Sequence, residues 1–274
     1  MLWEGTLQRQ RVSNAFGISL NHVTKVLREY ATAHPDSLVY DQRRQSYVSG
    51  RRFKPHYASR DPAEYLALQL AYAESGSSVV APLLGGGEIV PVEAVPSPPL
   101  GIEEAVLRQV IRAIVQGKGV DVLYHSTRAT RPSRRTLWPH ALVHTGVRWH
   151  TRAFDGEREE FRNFALQRSE DPKPVAKSSP VSPKDDTGWV ESLSLKIIPN
   201  PELNPHQQRL VARDFGMTDT PEGPAWVVEQ RKCLIGYFVA KYGLDRAEAP
   251  IAKSRIVLAD PASVREWFMP GNAG

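Results

Sequence analysis

Residues 124–168 constrain the fold more than any other part of the chain, because side chains there alternate with a period of two. Val147, Trp149, Thr151 and Ala153 fall on one face of an extended segment. Arg148, His150 and Arg152 fall on the other, since successive strand residues point to opposite sides. In residues 161–166 the same parity groups Arg162, Phe164 and Leu166, and Arg168 continues it. Residues 137–143 make a third strand with Trp138, His140 and Leu142 on one side. Three short strands separated by turn signals predict a small barrel or sandwich. This stretch also holds nine arginines and no lysine. A guanidinium grips phosphate or carboxylate with two parallel hydrogen bonds, which an ammonium cannot do. Tyr124, Ser126, Arg134, Arg135, His140, His150, Arg152, Arg162 and Arg168 are therefore the candidate ligand-binding set. The arginines would fork onto phosphates, and Tyr124 or His150 would stack on a base or bond a sugar. Asp155, Glu157, Glu159 and Glu160 gather around Gly156 as a predicted hairpin tip, well away from the arginines. The plainer alternative is a set of strand-surface arginines paired with those acids and with other domains. Trp149 and Phe154 are expected in the core, and Trp138 fits either place.

Charge is distributed unevenly. The net charge is +5, and residues 1–60 carry ten Lys/Arg against four Asp/Glu, whereas the remainder carries 25 against 26. The whole basic excess thus lies at the N-terminal end, which points to a module that binds a polyanion, most simply nucleic acid. Val12, Ala15 and Phe16 fit one short helix, which Gly17 interrupts. Ser19 then caps a second helix, with Leu20, Val23, Val26, Leu27 and Tyr30 as its apolar stripe. Helix, glycine turn and capped helix form a helix-turn-helix pattern. Ser19, Asn21, His22, Thr24, Lys25 and Arg28 are the expected DNA-facing residues of the second helix. Two short strands around Arg43 and Arg44 read as a wing that reaches a phosphate backbone or minor groove.

The segments LYHS, LWPHALV, RWHTRAF and FRNFALQR occur in that order. Together they resemble a WYL domain, a small Sm/SH3-like β-barrel of bacterial transcription regulators. Trp149-His150-Thr151 stands in the family's Trp-Tyr-Leu place, so two of the three naming residues are replaced. The Trp-His-x-Arg form resembles the branch of regulators that control phage-defence operons. The resemblance implies a sensor barrel between a winged helix-turn-helix and a C-terminal dimerisation unit.

Asp61-Pro62-x-Glu64 opens an apolar connector helix over 61–75. Residues 76–101 form a Gly/Ser/Pro-rich linker with a short strand at 88–92, and Gly85–Gly87 lack the Lys-Ser/Thr that a phosphate loop requires. Leu107, Val110, Ile111 and Ile114 make 102–116 an amphipathic helix. Residues 171–189 read as a second linker. An α/β unit follows: alternation at Leu193, Leu195 and Ile197, a helix opened by Asn204-Pro205 and stopped at Gly216, strands at 226–228 and 256–258, an apolar helix over 233–242, and a last helix opened by Pro261, with several exposed-looking aromatics. The fold class expected is α+β and multidomain: a winged helix-turn-helix over 1–60, connectors over 61–117, a β-barrel over 118–172 and a dimerisation unit over 190–274.

No catalytic motif is present, and His140 and His144 lie in strands, where a four-residue step is too long for simple chelation, so neither metal nor cofactor is expected. One cysteine, Cys233, sits in an apolar run and reads as a buried, inert thiol. No run of 18 apolar residues and no apolar signal core occurs, which fits a cytoplasmic protein. The function expected is a homodimeric repressor of a phage-defence operon. It binds an inverted repeat in double-stranded DNA and is released by a nucleotide or nucleic-acid-like ligand in the barrel, so that ligand and DNA oppose each other. The alternatives are an accessory subunit that grips single strands without operator preference, and, more remotely, an enzyme acting on nucleotides.

Overall fold

A computed structural model describes residues 1–75, 90–99, 101–244 and 255–268. The strand expected at 88–92 lies partly outside them, and 90–92 are not extended into a ladder; Gly85–Gly87 lie outside altogether. The chain divides into two compact units, Met1–Ser97 and Pro98–Gly274.

In the first unit, helices α1 (Arg9–Phe16) and α2 (Leu20–Ala33) are separated by Gly17, whose φ of 62° ends α1 in a left-handed turn. Ser19 Oγ accepts from the His22 amide at 3.2 Å and starts α2. Strands β1 (Thr6–Leu7), β2 (Leu38–Asp41) and β3 (Ser46–Ser49) form an antiparallel sheet of order β1-β3-β2. Helix α3 (Pro62–Ser75) follows. The apolar stripe of α2 is narrower than expected: Val23 and Leu27 are buried, but Leu20, Val26 and, on α1, Phe16 are exposed. What packs on α2 covers only one ridge of it, and the i, i+4 pair Val23 and Leu27 occupies that ridge.

The second unit begins with α4 (Glu104–Gln116) and a five-stranded antiparallel sheet: β4 (Lys118–Tyr124), β5 (Ser133–His144), β6 (Trp149–Asp155), β7 (Glu160–Ala165) and β8 (Ser169–Ser178), in the order β7-β6-β5-β4-β8. A 3-10 turn at Leu166–Arg168 joins β7 to β8. These pairings close no ring, because β7 and β8 are the two ends of the order. Residues 171–178, expected in a linker, extend β8 along β4 despite two prolines, because β8 is an edge strand and its free side needs no donor. The core beneath the sheet joins Val106, Val110 and Ala113 of α4 to Val120, Val122, Tyr124, Leu137, Ala153, Phe164 and Leu166. The buried stripe of α4 is rotated from the expected one, and Ile111 is exposed.

After β8, Pro183–Asp185 makes a 3-10 turn and α5 (Thr187–Val190) a single helical turn. A second sheet has the order β10-β11-β9-β12, from β9 (Ser192–Pro199), β10 (Thr218–Thr220), β11 (Gly223–Arg231) and β12 (Ile256–Leu258). Helices α6 (Pro205–Asp214) and α7 (Ile235–Tyr242) pack on it, with Leu195, Ile197, Val211, Ile235 and Val239 at the centre. The reciprocal Asn204/Gln207 capping box starts α6. Among the described residues the aromatics of this region are half-buried rather than exposed: Trp226 packs against Phe238 at 5.4 Å and Tyr242 at 5.1 Å between centroids. The last helix, expected to open at Pro261, is a 3-10 helix over Ala262–Phe268. Among the described residues no helix is long and apolar enough to cross a membrane, and no group of three or more His, Cys, Asp or Glu is placed to hold a metal ion.

Candidate DNA interface and ligand-sensing face

On α2, Asn21, His22, Lys25 and Arg28 are exposed along the side opposite Val23 and Leu27. Lys25 has only a loose, exposed pairing with Glu29 at 3.9 Å. These are free-standing donors on a capped, regular helix, as direct reading of a groove requires. Ser19 is spent on its cap. Thr24 is partly engaged: it donates to the Leu20 carbonyl at 2.8 Å and accepts from Arg9 Nη1 at 3.1 Å. The Arg9 guanidinium also lies 5.9 Å from the Tyr40 ring centroid, so it bridges α1, α2 and β2. At the wing, Asp41 Oδ1 accepts from the amides of Arg43 and Arg44 at 2.9 and 3.1 Å, and Gln45 takes a φ of 49°. This fixes the tip and leaves both arginine side chains exposed.

The ligand set of the second unit does not converge. Tyr124 is a core residue: it is 5% exposed, meets Phe164 edge-on, and its hydroxyl accepts from the Ala165 amide at 3.3 Å. Ser126 closes a turn by accepting from the Arg128 amide at 3.3 Å. Arg134 pairs with Asp121 and with Asp171 at 2.8 Å. Arg135 pairs with Asp155 at 3.0 Å and Glu157 at 2.9 Å, and Arg162 with Glu160 at 2.7 Å. The acids at the hairpin tip are therefore the partners of Arg135 and Arg162, contrary to the expected separation. Strand register explains it: Ala153 lies opposite Arg162 and Asp155 opposite Glu160, so Arg162 lies on the face that packs on α4.

His150 and Arg152 occupy the other face of β6, as the alternation predicts, with Arg152 directly opposite Asn163. That face is not open to solvent; Arg152 is 7% and His150 3% exposed. Segments 186–189 and 232–237 cover it. Arg152 Nε and Nη2 each donate to Asp186 at 2.7 Å, His140 Nε2 lies 3.0 Å from the same carboxylate, and the Trp189 amide donates to it at 3.1 Å. Burial alone would raise the Asp186 pKa, but the bonds from Arg152 and His140 outweigh it and hold it down at about 2. Asn163 Nδ2 donates to the Cys233 carbonyl at 3.1 Å, and the Tyr237 ring lies 5.3 Å from His150. Five buried polar atoms here and at the neighbouring 3-10 turn make no hydrogen bond of good geometry, namely His150 Nδ1, Asn163 Oδ1, Gln167 Oε1, Arg168 Nη1 and the Tyr237 hydroxyl, although Tyr237 stands beside Asn163 and His150 beside the Arg148 backbone. A buried polar atom that lacks a good partner costs about 1–3 kcal/mol, so this face carries hydrogen-bonding capacity that the fold uses only in part. Asn163, Gln167, Tyr237 and Asp186 escaped sequence reasoning; the capping pattern of Ser182 and Asp185 just before Asp186 was the signal on offer. Cys233 is half-buried, and burial pushes its thiol pKa up.

Burial, with the nearby Arg168 charge, pushes the His150 pKa down to about 4. The folded form therefore holds this imidazole neutral while the unfolded chain still binds the proton, so stability present above pH 6.5 is lost as pH falls toward 4. Urea unfolding at pH 4 and pH 8 is expected to differ through this group by on the order of 3 kcal/mol. A His150→Gln variant showing the same pH dependence as the parent would exclude this assignment.

Family models match three consecutive stretches: the BrxR transcriptional regulator winged helix-turn-helix domain over residues 1–71, the WYL domain over 105–174, and the BrxR transcriptional regulator C-terminal dimerization domain over 192–264. The chain is 31% identical over 262 residues to the DNA-binding transcriptional repressor CapW of Escherichia coli (strain KTE188), covering 94% of this chain and 84% of that protein. It is 30% identical over 279 residues to CapW of Stenotrophomonas maltophilia, covering 99% and 90%. With CapW of Pseudomonas aeruginosa the identity is 31% over 257 residues, covering 94% and 84%. The chain therefore belongs to the family of DNA-binding transcriptional repressors that includes CapW, built from a BrxR-type winged helix-turn-helix, a WYL domain and a C-terminal dimerisation domain.

Proposed function

We propose that this protein is a homodimeric repressor of a phage-defence operon that binds an inverted-repeat operator and is released by a nucleotide or nucleic-acid-like ligand. The observation that carries the DNA half is the row of exposed donors Asn21, His22, Lys25 and Arg28 on a capped helix, beside a fixed Arg43-Arg44 tip. The similarity to repressors named CapW and the match to a dimerisation model favour a two-fold reader, one recognition helix per half-site. The ligand half is supported by the buried polar side chains of His150, Asn163, Arg168 and Tyr237, which bring donors and acceptors together beside the Arg152 guanidinium. In this reading the five-stranded sheet is the Sm/SH3-like barrel of the WYL domain, and the domains run over 1–60, 61–117, 118–172 and 190–274. A ligand that favours one arrangement of the dimer over the other opposes DNA by linkage.

Genomic fragments retained by the pure protein are expected to share an inverted repeat with half-site centres about 34–36 Å apart or a multiple of it, upstream of defence genes. Light scattering is expected to give a dimer mass. Fragments without two-fold symmetry, or a monomer on the fragment, would overturn the reading. Enrichment of single strands over duplex would favour direct gripping by the sheet instead, a mode that the buried Arg152 and the ion-paired Arg134, Arg135 and Arg162 do not support.

A further inference from the structure

The coordination of Asp186 is that of an anion receptor. Two nitrogens of one guanidinium approach its carboxylate at 2.7 Å each, an imidazole nitrogen stands at 3.0 Å and a backbone amide at 3.1 Å. This is the donor set a phosphate group would recruit. Asp186 is 1% exposed and belongs neither to the sheet nor to the second sheet, but to the strap between them. The strap is shaped to deliver it. A Ser182/Asp185 capping box turns the chain just before it. Gly188 lets the backbone approach closely, since a Cβ there would lie 3.0 Å from Arg152 Nη2 and 3.2 Å from Cys233 Cβ. Beyond it, Trp189 stacks under the Arg231 guanidinium, 4.3 Å from its ring centroid, and Lys232 pairs with Glu191. The strap therefore ties the polar face of β6 to β11 and to the start of α7.

We propose that Asp186 is an internal competitor seated in an anion site formed by Arg152 and His140, and that a phosphate-bearing ligand enters by displacing it and lifting the 182–191 strap. This rests on the ligand half of the function proposed above and adds its regulation. A tethered carboxylate acts at an effective concentration in the millimolar range or higher, so weak phosphates present in every cell are kept out, and only a ligand with additional contacts wins. The Tyr237 side chain lies within electrostatic reach of Arg152 and Arg168 and 5.3 Å from the His150 ring, so these side chains stand beside the site and offer such contacts.

The test uses the full chain and the 5′-phosphorylated dinucleotide pTpT as probe, with inorganic phosphate in parallel. Asp186→Ala is expected to bind pTpT at least about tenfold more tightly than the parent and to gain melting temperature from it, and Arg152→Ala combined with Asp186→Ala is expected to lose that gain. In the parent, saturating pTpT is expected to speed hydrogen exchange at the Trp189, Val190 and Glu191 amides. If Asp186→Ala does not fold, Asp186→Asn keeps the cap and removes the charge, and the same gain is expected at smaller size. No gain with either folded variant, or exchange in the strap unchanged by bound pTpT, would make the carboxylate a structural strut and end the proposal. Tight pTpT binding by Asp186→Ala with no effect of pTpT on operator complexes would leave the self-occupied site standing and remove the inducer reading instead.

Discussion

Arg28→Ala is expected to weaken operator binding by about tenfold to a hundredfold and to relax preference at one base pair in each half-site, as loss of a base-edge contact of about 1–3 kcal/mol requires. Arg28 is exposed on α2 on the same side as Asn21 and Lys25, one turn beyond Lys25, so in the proposed reading it faces the same groove. Arg43→Ala with Arg44→Ala is expected to act differently. The tip is held by Asp41, and the exposed contact of Arg44 with Asp41, 3.6 Å long, is too weak to compete with phosphate. Removing both charges is expected to lower affinity for every sequence alike and to reduce the slope of log affinity against log salt by about two. With all three arginines replaced, binding falls to the non-specific level. Gel shifts in which the wing variant binds like the parent at all salt concentrations would take the wing out of the interface. Arg9 serves as a control, since it acts through Thr24 and Tyr40 and its loss is expected to alter helix position more than salt dependence.

The second large effect concerns Arg152. Arg152→Ala leaves the buried Asp186 carboxylate without its bidentate partner, and an uncompensated buried charge costs about 3–5 kcal/mol. At about 2–4 °C per kcal/mol for a unit of this size, melting is expected to fall by on the order of 10 °C. Replacing both partners together, Arg152→Met with Asp186→Leu, is expected to recover most of that loss, because the charge that needed a partner is gone. Equal melting of the parent and the single variant would show that the pair is solvated in solution. The sequence offered Asp155, Glu157, Glu159 and Glu160 as the nearby carboxylates for the strand arginines, but the partner of Arg152 is Asp186, 34 residues away.

That difference shows what could and could not be read from the chain. Strand parity is local, so the separation of His150 and Arg152 from Trp149, Thr151 and Ala153 was legible. Register is not local. Whether Arg152 or Ala153 lies opposite Arg162 depends on how the turn after Asp155 is built, and one residue of slip moves an arginine to the other face. Asp186 lies 34 residues from Arg152 and 46 from His140, in a segment whose prolines and charges look like a linker. Only the Ser182-Pro183-Lys184-Asp185 capping pattern hinted that the segment is ordered. The helix-turn-helix was legible because its signals, a glycine stop and a serine cap, act within a few residues. The width of its buried ridge was not, since that depends on what the short sheet can cover.

The strap and the start of α7 together act as a lid over the sheet's polar side, and this sets where the molecule can be cut and rejoined. A graft of residues 105–178 alone into another regulator would carry Arg152, His140 and Asn163 with nothing above them, and would arrive insoluble or misfolded. A graft that begins before Ile102 and runs through residue 268 brings its own roof. For recombination, in the laboratory or between genomes, the WYL domain and its C-terminal neighbour form one cassette, and the workable seam falls near Pro98, between the two compact units.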